Sequence, residues 1–158
     1  MMRVKFKSLC VLGIFIMLLN CGFKPLNYQI NYEIVKLETI GEKKINYILK
    51  NKLNANSNAN TNGQKIELKI NTQKNKSIKE KNINNEITKY IITITSEINY
   101  TLINDKIMST INKTTSGTFD VAKNYSQTID NEKKLINQLS NKLSEEINRE
   151  LLIKINDL

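Results

Sequence analysis

Cys21 is the side chain whose position in this sequence points to covalent chemistry. Arg3, Lys5 and Lys7 make a cationic start, and residues 8–23 carry no charge. Residues 9–19 read LCVLGIFIMLL, an apolar run of eleven. Spanning a bilayer takes about 20 apolar residues, so the run fits the core of a secretory signal peptide better than a membrane span. Cys21 follows it at once, in LLNCGF. A thiol at that place can take a diacylglyceryl group, after which cleavage before the Cys exposes an amine that can be acylated. Each buried CH₂ of such chains contributes about 0.8 kcal/mol to anchoring. Leu18 fills the aliphatic position three before the Cys, and Asn20 stands where Gly, Ala or Ser is usual. The expectation is a signal peptide over 1–20, lipidation at Cys21 and one domain over 21–158. The competing readings are a plain N-terminal membrane anchor and an ordinary cleaved signal, in either of which Cys21 is incidental.

The remaining chemistry is sparse. The 158 residues include no His and no Trp. That removes imidazole bases, Ser-His and Cys-His nucleophile pairs, and His metal sites. Cys10 lies in the apolar run and leaves with it, so a lipidated chain keeps no free thiol and no disulfide. There is no glycine-rich phosphate loop and no Cys-x-x-Cys. The acid pairs Asp130/Glu132 and Glu145/Glu146 fall on a helical pattern and read as solvated helix charges. A Ser-Lys pair remains possible by composition, but no motif nominates one. No enzyme activity, cofactor or metal is expected.

What is left is charge. The whole chain carries +9, and loss of the three basic residues before Cys21 leaves +6. Export removes nucleic acid as a target. Lys74, Lys76, Lys79 and Lys81 are concentrated in one short segment. They read either as a solvated, aggregation-resistant strand tip or as an anion-binding tip, with Lys serving phosphates as point charges. Lys, Asn and Ile supply 70 of the 158 residues, a bias that AT-rich codons can produce without selection for function.

The elements that must position this tip follow from periodicity. Tyr28, Ile30, Tyr32 and Ile34 alternate with polar residues, then Val35 and Leu37 change parity. That predicts a strand with a bulge near Ile34–Val35. Thr39 and Glu42 have capping-box spacing, and Ile45, Ile48, Leu49 and Leu53 predict a helix over 41–54. The polar run 54–63 is a loop. Ile66, Leu68 and Ile70 predict a second strand, followed at 74–85 by a long loop or exposed strand tips. Residues 89–103 alternate cleanly and end at Asn104-Asp105, a two-residue hairpin turn. That turn fixes a register in which opposed residues sum to 209. Leu102 then faces Ile107, Ile98 faces Ile111 and Tyr90 faces Phe119, with Gly117 opposite Ile92 as a twist or bulge. Leu135, Ile136, Leu139, Leu143, Ile147 and Leu151 predict a helix over 127–155, with Asp130 and Glu132 near its start suiting the dipole. The order is β-α-β-β-β-α: an α+β two-layer sandwich with two helices packed on one face of a four-stranded sheet.

Cys21-Gly22-Phe23-Lys24-Pro25-Leu26 resembles the start of the LptE family of lipopolysaccharide-assembly lipoproteins. Asn27 stands where Tyr is common, with Tyr28 one place later. The length and element order agree with that family; residue identity is concentrated at the start. The resemblance implies a non-enzymatic outer-membrane lipoprotein, lipid-anchored on the periplasmic side or held within a barrel lumen. Its partners would be an LptD-type β-barrel, which it plugs and helps assemble, and lipopolysaccharide. Two other readings remain. One is an unrelated envelope lipoprotein that binds a small or lipid-like ligand in a pocket. The other is an exported enzyme with converging acids or a Ser-Lys pair in a cleft.

Overall fold

The computed structural model describes residues 32–57 and 63–156. The signal segment, Cys21, the motif at 22–26 and the beginning of the expected first strand lie outside the described residues. The elements are β1 (Tyr32–Gly41), α1 (Lys43–Asn56), β2 (Gln64–Lys81), β3 (Ile87–Leu102), β4 (Ile107–Asp120) and α2 (Tyr125–Asn156). The expected order and class hold. The sheet runs β1-β2-β3-β4, with β1 parallel to β2 and the other pairs antiparallel. A parallel pair needs a crossover, and α1 provides it.

The change of parity in β1 is a bulge. Ile34 faces Ile66 and Lys36 faces Glu67, which leaves Val35 without a partner and half exposed. The extra residue turns Leu37 back to the side of Tyr32, where it lies opposite Leu68. The β3–β4 ladder follows the predicted register without a shift: Leu102 faces Ile107, Ile98 faces Ile111 and Tyr90 faces Phe119. The turn itself is longer than expected. Residues 103–106 form a four-residue loop centred on Asn104-Asp105. A two-residue turn of the hairpin type needs positive φ at its central positions, whereas here Lys106 supplies the positive φ of 55°. Because the loop is symmetric about the same two residues, the register survives.

Two local expectations fail. Thr39 does not cap α1, because it remains in the β1 ladder opposite Ile70. Strand pairing runs on to Gly41, opposite Thr72, at a φ of 99°. Glu42 is then the N-cap residue, without a side-chain cap hydrogen bond. Its backbone N–H donates to Thr72 Oγ1 at 3.2 Å, and that hydroxyl donates to Asn46 Oδ1 at 2.8 Å. This buried bridge ties the helix start to β2. Gly117 lies opposite Ile92 as expected but does not mark a bulge. It makes room: a Cβ there would sit 2.8 Å from Leu135 Cδ1 and 3.3 Å from Leu139 Cδ2.

One face of the sheet is apolar and covered. Ile66, Leu68 and Ile70 of β2 join Ile92, Ile94, Ile98 and Leu102 of β3, all at 2% exposure or less. Leu49 and Leu53 of α1 and Leu143, Ile147 and Leu151 of α2 close over them. Each fully buried Leu or Ile contributes about 1.5–3 kcal/mol. Under α2 the layer is small and polar. Ser140 and Ser144 bond back to their own helix, while Ser96 Oγ and Thr115 Oγ1 are buried without a hydrogen-bond partner. The other face of the sheet is solvated, with Lys65, Glu67 and Lys69 on β2, Thr95 and Glu97 on β3, and Thr110, Asn112 and Thr114 on β4.

Candidate functional site

The lysine segment is part of a strand. β2 continues through Lys81, and every residue from 75 to 81 is exposed, so the strand-tip alternative at 74–85 is the one realised. A tight turn then leads into β3. Asn82 organises it. Its Oδ1 accepts from the N–H of Asn84 at 3.0 Å and of Glu86 at 2.9 Å, and its Nδ2 donates to Glu86 Oε2 at 2.7 Å. Backbone bonds from Asn82 N–H to Glu86 O and from Asn85 N–H to Asn82 O complete it. Asn85 takes the left-handed conformation, φ 64°, which Asn tolerates better than most residues.

The four lysines separate into two pairs. Lys74 and Lys76 share parity with Ile70 and Thr72, so their side chains lie on the helix side. Lys74 Nζ is 3.8 Å from the Glu42 carboxylate. Lys76 Nζ is 2.6 Å from Glu132 Oε2, in a pair whose side chains keep 33% and 17% exposure. The same ammonium lies 4.4 Å from the Tyr90 ring centroid and 5.1 Å from that of Phe119. Those two rings stack, with centroids 5.5 Å apart. Lys76 is therefore held by one carboxylate and two π faces, which desolvate and orient it. Glu132 lies beyond the first turn of α2, which begins at Tyr125 and has no acid in that turn. Its role is this ion pair rather than the expected helix-dipole contact.

Lys79 and Lys81 behave differently. The ladder shifts register between Ile78 and Glu80 and again at Lys81, so Lys79 is the bulged residue. Lys81 Nζ donates to Asn85 Oδ1 at 2.8 Å. Neither lysine has an ion pair among the described residues. The two therefore keep their charge available to an external anion.

Sequence reasoning missed two neighbours. Lys89 lies between Glu80 at 3.1 Å and Asp120 at 3.7 Å. The hydrogen bond it donates to Glu80, then that carboxylate's charge, holds the ammonium above its usual value. The register sum already contained the pairing of Lys89 with Asp120. The second is a groove of about 420 Å³ between the strand tips and the start of α2, lined by Lys76, Ile87, Tyr90, Val121, Lys123 and Tyr125. Only the fold brings residues 76, 87–90 and 121–125 together. Asn124 caps the helix there, accepting from the Ser126 N–H at 2.9 Å.

The acid pairs lie on α2, where Glu145 and Glu146 line an open depression with Lys142 and Arg149. Asp130 pairs with Lys133 at 3.6 Å and Glu146 with Lys142 at 3.9 Å, along the surface of α2. Among the described residues no group of three metal-ligating side chains forms, and no helix is long and apolar enough to cross a membrane. The arrangement offers a cationic hairpin beside an amphipathic groove, suited to binding an anionic amphiphile.

The sequence matches no protein-family profile and no curated protein, whereas solved structures do match the fold. Rare lipoprotein B from Shewanella oneidensis superposes with a TM-score of 0.58 at 11% identity, covering 75% of this chain and 95% of that one. A minor lipoprotein from Acinetobacter baumannii gives 0.54 at 12% identity, covering 79% and 94%. Lipoprotein B from Nitrosomonas europaea gives 0.54 at 12% identity, covering 82% and 90%. At such identities the likeness is one of fold.

Proposed function

We propose that this chain is an outer-membrane lipoprotein of the lipopolysaccharide transport and assembly machinery. In this reading it is anchored through Cys21, on the periplasmic side or inside the barrel. It plugs an LptD-type β-barrel, assists its assembly and helps deliver lipopolysaccharide. It is a binding and structural subunit rather than an enzyme. The observation that supports it best is a coincidence of two independent features. The Cys-Gly-Phe-Lys-Pro-Leu start at 21–26 resembles LptE, and the folded part resembles solved structures named lipoproteins. Lys79 and Lys81 are the lysines best placed for the phosphates of lipid A, because Lys74 and Lys76 already hold Glu42 and Glu132.

Affinity purification of the tagged chain from detergent-solubilised envelopes tests this directly. A heat-modifiable outer-membrane barrel should co-purify in stoichiometric amount, and palmitate should label the wild type but not Cys21→Ala. Recovery without any barrel refutes the reading. The amphipathic groove favours one alternative, an envelope lipoprotein carrying a small or lipid-like ligand. Its mark would be a co-purifying lipid in place of the barrel.

A further inference from the structure

The β2–β3 hairpin presents a side chain that neither the core nor the proposed lysine contacts explain. Ile83, near its apex, is 101% exposed, the most exposed of the large apolar side chains described. It is not on a slack loop. Asn82, Asn84, Asn85 and Glu86 close the turn through the bonds described above, so the conformational cost of holding Ile83 outward is met before any contact forms. Further apolar surface lies at the same end of the sheet: Ile78 at 49%, Val121 at 37% and Tyr125 at 78% exposure. Val121 donates its N–H to Thr88 O at 2.9 Å, which fixes it beside the base of the hairpin. Lys79, Lys81 and Lys123 lie among these side chains and are exposed. The acids nearby are engaged, Glu80 and Asp120 by Lys89 and Glu86 by Asn82.

We infer that this end of the molecule is a lipid-contact surface, in which Ile83 enters the interfacial zone of an anionic phospholipid bilayer while Lys79 and Lys81 meet its headgroups. A protein partner fits less well. Specific protein interfaces bury about 800 Å² per side and concentrate their energy in packed, concave pockets, whereas Ile83 is a single projecting side chain. A lipid interface accepts such a wedge, seats a Tyr at headgroup level and lets Lys stems lie along apolar surface with the charge outward. Juxtaposed cations then add attraction to anionic lipid. The inference goes beyond the barrel reading and does not require it.

The absence of Trp from the sequence makes the test clean. Ile83→Trp in the full chain gives a single reporter, and Met108→Trp gives one at the opposite end of the sheet. Each protein is mixed with phosphatidylglycerol/phosphatidylcholine vesicles containing brominated lipid, with pure phosphatidylcholine vesicles, and with lipopolysaccharide micelles. The expected result is a blue shift of about 10 nm and at least twofold quenching of the residue-83 reporter by the anionic vesicles. That quenching should be greater than at residue 108, and should fall severalfold when Lys79→Glu and Lys81→Glu are added. A reporter at 83 that is unquenched by anionic vesicles overturns the inference, even if the vesicles bind the chain elsewhere. A response to lipopolysaccharide alone also overturns it, while leaving the barrel reading standing.

Discussion

Replacing Lys76 by Met should destabilise the fold, and replacing Lys79 by Met should not. Met keeps most of the aliphatic stem, so the substitution at 76 isolates the charge. Two contacts are lost. The ion pair with Glu132 is short at 2.6 Å but retains 33% and 17% exposure at its two side chains, so solvent screening limits it to roughly 0.5–1 kcal/mol. The ammonium over the stacked Tyr90 and Phe119 rings, at 4.4 and 5.1 Å, adds about 0.5–1 kcal/mol. The sum is about 1–2 kcal/mol, a substantial part of a typical stability of about 5–15 kcal/mol. Urea titration followed by far-ultraviolet circular dichroism measures it, with an expected midpoint shift of roughly 0.5–1 M. Lys79→Met should stay within about 0.5 kcal/mol of wild type, as surface changes usually do. A double-mutant cycle with Glu132→Gln should return a coupling of about 0.5–1 kcal/mol. Equal losses at 76 and 79, or a coupling near zero, would refute the division of the lysines into structural and available pairs.

Other outcomes follow from particular contacts. Gly41→Ala places a Cβ 1.9 Å from the backbone oxygen of Thr72, at a φ of 99°; backbone cannot yield cheaply there, so a loss of about 3 kcal/mol or more is expected in the same titration. Gly117→Ala meets the movable ends of Leu135 and Leu139 and should cost less than half of that. Thr115→Val removes a buried hydroxyl without a hydrogen-bond partner and should be neutral or stabilising by up to about 1 kcal/mol. Burial raises Tyr32 from 10.0 to about 12. The unfolded phenol therefore ionises first, and the contribution present below pH 10 is lost as pH rises towards 12. Tyr32→Phe should remove a fall of about 2–3 kcal/mol from the alkaline limb of the stability curve, although it also forfeits the hydrogen bond from the Tyr32 hydroxyl to Asn148. An unchanged alkaline limb would count against that assignment.

Most of the fold was legible because strong patterns agreed with turn chemistry. Alternation in β3, together with Asn104-Asp105, specified fourteen consecutive β3–β4 pairs, since a one-residue slip would have turned Ile94 and Ile98 to solvent. The parity change in β1 located its bulge at Val35 for the same reason. What the sequence hid was set by contacts far away in the chain. Thr39 and Glu42 have the spacing of a capping box, yet strand pairing to β2 takes Thr39 away from the helix. Neither the parallel β1–β2 pairing nor the close approach of α2 over Gly117 leaves a local pattern. The lysine segment was visible as charge only. Which lysines are bound internally depends on Glu42 and Glu132, which are 32 and 56 residues away from Lys74 and Lys76.

The length of β2 has a geometric consequence. Eighteen residues of strand extend about 55–60 Å, more than the roughly 40–45 Å of a whole bilayer with its headgroups. Tyr32 sits opposite Gln64, at the far end of β2 from the hairpin, so the chain from Cys21 joins the sheet at its opposite pole. With the strands upright, Tyr32 and the apex at residue 83 could not rest in one leaflet. The molecule would act as a spacer with a defined sidedness, its two poles reporting on separate surfaces.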